Sequence, residues 1–167
     1  MVRALRQFFF GRWLRVQGGD VSIVPLLILL AIALSASWFN RPRHEVFPLS
    51  STISFKACDG RVSANCVVDG DTIWAEGEKV RLADIDAPEI FSPECEWERH
   101  MGHQATERLT ALLNDGEVAL KKTSSRDSDK YGRLLREATV DGKSVGMVLV
   151  REGLAHKWGG PQRSWCT

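Results

Sequence analysis

From Val21 to Phe39 the chain reads VSIVPLLILLAIALSASWF, nineteen positions without a charge. A helix of about 20 apolar residues crosses a bilayer core, so this run constrains topology before any other feature does. Pro25 near its start is compatible with a membrane helix, where neighbouring groups re-satisfy the backbone. A buried core helix is the alternative, but nothing polar marks a second face. Arg3, Arg6, Arg12 and Arg15 precede the run, with Asp20 the one acid, and Arg41 and Arg43 follow it. That basic N-terminal side predicts a cytoplasmic N-terminus, with everything from about Arg41 outside the cytoplasm. A cleaved signal peptide competes, with Ser35 and Ser37 as small residues before a cut. The length of the run and the arginines behind it favour a single-pass anchor in the inner (cell) membrane over a secreted or periplasmic product. The expected organisation is a basic segment 1–20, an anchor or signal 21–39, a linker 40–54, and an ordered domain 55–167.

All four cysteines, Cys58, Cys66, Cys95 and Cys166, lie beyond the apolar run. An even count on the exported side predicts two disulfides. Of the possible connectivities we expect Cys58–Cys66, which closes a short loop, and Cys95–Cys166, which ties a loop to the C-terminal region. A zinc site of Cys95 with His100 and His103 is the competing reading, but its spacing matches no common zinc pattern. From Glu45 onward there are 16 Lys and Arg against 20 Asp and Glu, a net of −4. A generic basic nucleic-acid binder is thereby excluded. A polyanion must be met at a local basic site or through a bound cation.

Turn residues and periodicity divide the domain. Arg61–Val68 predicts a strand entering the tight turn Asp69-Gly70. Thr72–Ala75 and Lys79–Ile85 predict strands joined at Glu76-Gly77, and Pro88 ends the second. Ala105, Leu109, Leu112 and Leu113 recur at helical spacing within Glu98–Leu113. Glu117–Lys122 and Arg133–Val140 predict two more strands, Asp141-Gly142 a turn, and Ser144–Gly153 a second helix. Five short strands with two or three helices predict an α+β domain built on a small five-stranded barrel of the OB-fold type.

The stretch VVDGDTIWAEGEKVRLADIDAPE, Val67 to Glu89, gathers Asp69, Asp71, Asp84, Asp86 and Glu89 around a single arginine, Arg81. If its strands pair through Glu76-Gly77, Asp71 and Asp86 meet at one end of the hairpin. Two carboxylates with backbone carbonyls and waters suit a hard divalent cation. The guanidinium of Arg81 matches a phosphate or a carboxylate, and Glu89 is placed to take a proton from water. A solvated acidic rim is the alternative that these residues leave open. Asp84 reads as a surface charge.

Asp69-Gly70-Asp71-Thr72, Arg81, Asp86-Ala87-Pro88-Glu89, Asp129-Lys130-Tyr131-Gly132-Arg133 and the later LVREGLA (Leu149–Ala155) together resemble the staphylococcal nuclease (thermonuclease) family, in order and spacing, over about Val67–Trp158. The resemblance implies an OB-fold and Ca²⁺-dependent hydrolysis of phosphodiesters in DNA and RNA. It implies Asp71 and Asp86 as metal-binding carboxylates, with the backbone carbonyl of Ala87 beside them and Asp69 near the ion. It implies Arg81 and Arg133 as the arginines on the scissile phosphate, Glu89 as general base, and Lys130 and Tyr131 as contacts to the nucleotide's terminal phosphate. Trp158 is expected either to stack on a base or, in preference, to sit in the core. The expected molecule is a monomeric, membrane-tethered nuclease acting on DNA or RNA. A non-catalytic binding module and a structural envelope module are the competing classes, disfavoured because Asp71, Arg81, Asp86, Glu89 and Arg133 are all present.

Overall fold

Two dipeptides with left-handed backbone frame the sheet. Glu76 and Gly77 have φ of 50° and 84°, and Asp141 and Gly142 have 49° and 76°; two consecutive positive φ values give the turn whose twist matches paired strands. The first joins β3 (Thr72–Ala75) to β4 (Glu78–Leu82) and the second joins β7 (Leu134–Val140) to β8 (Lys143–Ser144). The computed structural model describes residues 28, 45–50, 53–60, 64–161 and 163–166. The chain divides into units of residues 1–42 and 43–167. Of the first, only Ile28, in helical conformation, is described. The expectations for 1–20, for 21–39 apart from Ile28, and for the start of the linker lie outside the described residues. Among the described residues no helix is long and apolar enough to cross a membrane.

The second unit is α+β. Its other elements are β1 (Val46–Pro48), β2 (Cys66–Asp69), β5 (Ile85–Asp86), α1 (Glu96–Leu113), β6 (Val118–Lys121), α2 (Val145–Arg151) and β9 (His156–Lys157). The mixed sheet follows the order β1-β6-β7-β4-β3-β2, with β8 on β7 and a separate β5-β9 pair. All ladders are antiparallel except β4 with β7, which run parallel in the register Arg81↔Leu135. The path is open, and the expected closed five-stranded barrel is not formed by these ladders. One reason is local. The outer edge of β2 is occupied by the segment before it, where Val67 N–H donates to the Lys56 carbonyl and Cys58 N–H to the Val67 carbonyl. The Cys58–Cys66 disulfide holds that segment in place.

The strands alternate between a buried face and a wetter one. Val67, Ile73, Val80, Leu82 and Ile85 are fully buried against Leu109 and Leu113 of α1 and Val145 and Leu149 of α2. Helix α1 starts two residues earlier than its apolar spacing indicates, because Cys95 caps it, its sulfur accepting Glu98 N–H at 3.4 Å. Glu96 and Glu98 in the first turn suit the positive end of the helix dipole. At the other end Asn114 exchanges two hydrogen bonds with the backbone of Phe55, both at 2.9 Å. Small residues let α1 approach the loop after β5. A Cβ at Gly102 would lie 2.8 Å from the Pro88 carbonyl oxygen, and one at Gly70 would lie 2.7 Å from Cβ of both Ala105 and Ala87. The second expected disulfide, Cys95–Cys166, also forms. It uses the sulfur that the zinc alternative required, so that alternative is excluded.

Candidate active site

Pairing of β3 with β4 places Thr72 opposite Arg81 and brings the residue before Thr72 alongside the residue after Arg81, with Leu82 N–H donating to the Asp71 carbonyl at 2.8 Å. Asp71 and Asp86 therefore converge on one nitrogen. Arg81 Nη2 lies 3.1 Å from Asp71 Oδ2 and 3.0 Å from Asp86 Oδ1. Its Nη1 donates to the carbonyls of Leu82 and Ile85 at 2.9 and 3.1 Å. The Arg81 side chain is 12% exposed. Ala87 N–H reaches Asp71 Oδ2 at 3.3 Å, so the loop after β5 closes onto the same carboxylate. Gly70 permits this by leaving room for Ala87 and α1.

Thr72 and Asp129 link the second arginine to this cluster. The buried Thr72 hydroxyl donates to Asp71 Oδ1 at 2.9 Å and accepts from Arg133 Nη1 at 3.3 Å. Asp129 accepts the Arg133 amide at 3.0 Å on one oxygen and Arg133 Nε at 2.7 Å on the other. Burial opposes ionisation of Asp129, but its hydrogen bonds to Arg133 outweigh that and hold its pKa below the usual range. Neither Thr72 nor Asp129 was assigned a role from the sequence. The signal was present in Asp129-Lys130-Tyr131-Gly132-Arg133, where Asp129 and Arg133 stand four apart around a glycine with φ of 79°.

The acids outnumber their cations. Asp69, whose Oδ1 accepts Asp71 N–H at 3.2 Å, is pushed up to about 6 by burial and then by the Asp71 charge. Glu89 is raised by partial burial and by the charges of Asp71, Asp86 and Glu98. Its amide donates to Glu98 Oε1 at 3.3 Å, and Glu98 Oε2 takes Glu94 N–H at 2.6 Å. A buried carboxylate on α1 thus anchors the loop that carries Glu89. Asp71 and Asp86 within reach of one nitrogen, with Asp69 and Glu89 beside them, make an all-oxygen donor set that fits a hard divalent cation. Glu94, Glu98 and Cys166 also lie within reach of a single ion, but Cys166 sulfur is bonded to Cys95 and Glu98 is committed to two amides, so this trio is structural.

Arg81 and Arg133 open onto a cleft of about 640 Å³ that also carries Arg126, Lys130, Tyr131 and Trp158. Trp158 is 56% exposed and its ring lies 4.7 Å from the Arg81 guanidinium carbon; the expected core position is overturned. Its amide donates to the Asp84 carbonyl, extending the β5-β9 pair past Lys157 and turning the indole outward. Tyr131 is exposed, with Lys130 Nζ 4.9 Å and the Arg133 guanidinium 5.5 Å from its ring. Asp84 is not the surface charge expected. Its Oδ2 accepts the Ser144 hydroxyl that caps α2, its Oδ1 is buried without a partner among the described residues, and burial raises its pKa.

Comparison with known proteins places this site in context. The family described as "Staphylococcal nuclease homologue" matches residues 79–163. That stretch contains Arg81, Asp86, Ala87, Glu89, Lys130, Tyr131, Arg133 and Trp158, while Asp69 and Asp71 precede it. The chain is 40% identical over 98 residues to Endonuclease YncB of Bacillus subtilis (strain 168), covering 56% of this chain and 46% of the relative. It is equally identical over the same length to the SPbeta prophage-derived endonuclease YokF of that organism, covering 33% of it. It is 35% identical over 94 residues to the succinoglycan biosynthesis protein ExoI of Rhizobium meliloti (strain 1021), covering 53% of this chain and 48% of the relative. The chain spans less than half the length of each of these relatives.

Proposed function

The chain belongs to the staphylococcal nuclease homologue family, and on that premise we propose that it is a Ca²⁺-dependent nuclease hydrolysing phosphodiester bonds in DNA or RNA. The observation that carries this reading is the convergence of Asp71 and Asp86 on Arg81, tied through Thr72 to Arg133. Asp71, Asp86 and the Ala87 carbonyl would hold the ion. When bound, Ca²⁺ would supply Lewis-acid polarisation of the phosphate.

The chain's own residues do the rest. Glu89, held by its amide on Glu98, accepts a proton from the attacking water as the water oxygen bonds to phosphorus and the ester P–O bond breaks, the leaving oxygen taking a proton from solvent to depart as the alcohol. A raised pKa brings a carboxylate nearer the range in which a general base works. Arg81 and Arg133 meet the negative charge that grows on the phosphoryl oxygens. Asp129 orients Arg133. Lys130 and Tyr131 receive the nucleotide's terminal phosphate, and Trp158 offers a face on which a base stacks. Arg81 already satisfies two carboxylates, so it is available to a phosphate only when Asp71 and Asp86 are neutralised in another way.

We further propose export, a retained N-terminal anchor and action as a monomer. The uncharged run 21–39 and the two disulfides, which persist in oxidising compartments, support this reading. The deciding experiment is cleavage of plasmid DNA and of RNA with added Ca²⁺, with and without chelator, alongside Ca²⁺-dependent thermal stabilisation of the parent and of Asp86→Ala. We expect cleavage only with Ca²⁺, and a stabilisation that Asp86→Ala loses. Calcium-independent cleavage, or an unchanged melting shift in Asp86→Ala, rejects the metal assignment.

A further inference from the structure

We propose that Arg126 forms a further phosphate position in the cleft, beyond the scissile phosphate and the terminal phosphate met by Lys130 and Tyr131, so that the site takes a single-stranded nucleic-acid segment longer than one phosphodiester. The proposal rests on the nuclease reading above. It starts from the charges lining the cleft. Arg81 is satisfied by Asp71 and Asp86, and Arg133 by Asp129. Arg126 and Lys130 line the same cleft and have no carboxylate partner among the described residues. Neither has a carboxylate to offset its charge, and among the described residues Lys130 rests only against the Tyr131 ring. Their presence in a domain of net charge −4 is the local basic site that an acidic protein needs to hold a polyanion.

The loop that carries Arg126 is braced. Asp127 pairs with Lys122 at 3.1 Å and with the buried Arg136 at 2.9 Å. The Ser124 hydroxyl donates to the Arg126 carbonyl at 2.7 Å, and Leu135 N–H donates to the Asp127 carbonyl at 2.9 Å. Arg126 is therefore presented from fixed backbone, and its planar fork matches phosphate oxygens. The exposed rings of Tyr131 and Trp158 face the same cleft, and aromatic faces of this kind stack bases only when those bases are unpaired.

The test uses the full chain as parent, Arg126→Ala and Arg126→Lys. Substrates are a dinucleotide with one phosphodiester and a labelled oligothymidylate of about twelve nucleotides, within the span that single-strand sites occupy. With Ca²⁺, the ratio of kcat/KM for the long substrate to that for the dinucleotide should fall about tenfold in Arg126→Ala, through KM, with Arg126→Lys intermediate. With chelator, fluorescence anisotropy should show weaker binding of the oligothymidylate and a log K against log salt slope smaller by about 0.7, one phosphate contact on a single strand. An unchanged ratio and slope overturn the proposal, as does an equal loss on both substrates with a lowered Tm. A parent that binds the oligonucleotide through Arg126 yet cleaves neither substrate leaves this position standing and removes the nuclease reading. A parent that neither binds nor cleaves removes both.

Discussion

Arg81 and Arg133 are the same residue type in unlike surroundings. The Arg81 guanidinium pairs with two carboxylates, donates to two carbonyls and is nearly enclosed, whereas Arg133 is held chiefly by an ion pair four residues away in its own loop. If both act on the developing phosphoryl charge, Arg81→Lys and Arg133→Lys should each lower kcat by about 10²–10³ with a smaller effect on substrate affinity. An ammonium cannot reproduce the fork. The two variants should part company in stability. Arg81→Lys leaves enclosed acceptors short of donors, each costing about 1–3 kcal/mol, while Arg133→Lys loosens an ion pair worth about 1 kcal/mol or less. Thermal unfolding beside single-turnover cleavage separates these effects; equal Tm losses, or wild-type turnover in either variant, contradict the assignment. Much of this site was readable from residue types and spacing, since Asp71, Arg81 and Asp86 are brought together by one hairpin whose turn residues announce it. What was not readable depends on packing. Thr72, Glu98 and Asp84 look like ordinary polar positions until burial shows that each has a hydrogen-bonding task, and Trp158 looks apolar until its amide is seen to pair with Asp84.

The loop from Thr123 to Lys130 shows how an element without regular structure acquires definition. Its sequence before Asp129 indicated only a connection between strands. It is ordered by Asp127, whose carboxylate answers Lys122 and the buried guanidinium of Arg136. Those two hydrogen-bonded cations hold the Asp127 pKa below the model-peptide value of 3.8. A depressed carboxylate pKa contributes stability that is present above the unfolded value and lost as pH falls through the folded one. At about pH 6 Asp127→Asn should therefore melt below the parent, and the gap should close as pH drops below 3.8. Melting curves of the pair across that range decide it; a constant gap means that the carboxylate acts by shape rather than charge. The regular elements were easier to read. Helix α1 followed its Ala105-Leu109-Leu113 spacing, and both two-residue turns followed their glycines. The short strands β1, β8 and β9 were missed because two or three residues carry no periodicity, and β5 was read as the end of the strand before it, from which a turn at Ala83-Asp84 separates it; the outermost ladders depend on partners distant in sequence.

Across the whole molecule the two disulfides are unequal. Cys58–Cys66 spans 8 residues and Cys95–Cys166 spans 71. By loop-closure entropy they restrict the unfolded chain by roughly 2.5 and 4.4 kcal/mol respectively. Replacing Cys95 and Cys166 together by Ser should lower denaturant-unfolding stability more than replacing Cys58 and Cys66. The reverse order would place the main effect of the longer bridge in the folded state. The parallel pairing of β4 with β7 has a consequence in time. The β2-β3-β4 meander is built from neighbours and can form within microseconds, but Arg133 joins it only when Val80↔Leu134 and the rest of that ladder assemble across α1 and β6. Contacts so far apart in sequence form late. A nascent chain that has reached the end of α1 already holds Asp71, Arg81, Asp86 and Glu89, yet it lacks one of the two arginines, the basic loop and the indole. Synthesis from the N-terminus thus delivers Arg81 and most of the site's acids first and Arg133, the basic loop and the indole last, so the chain passes through an incomplete site before the cleft is built.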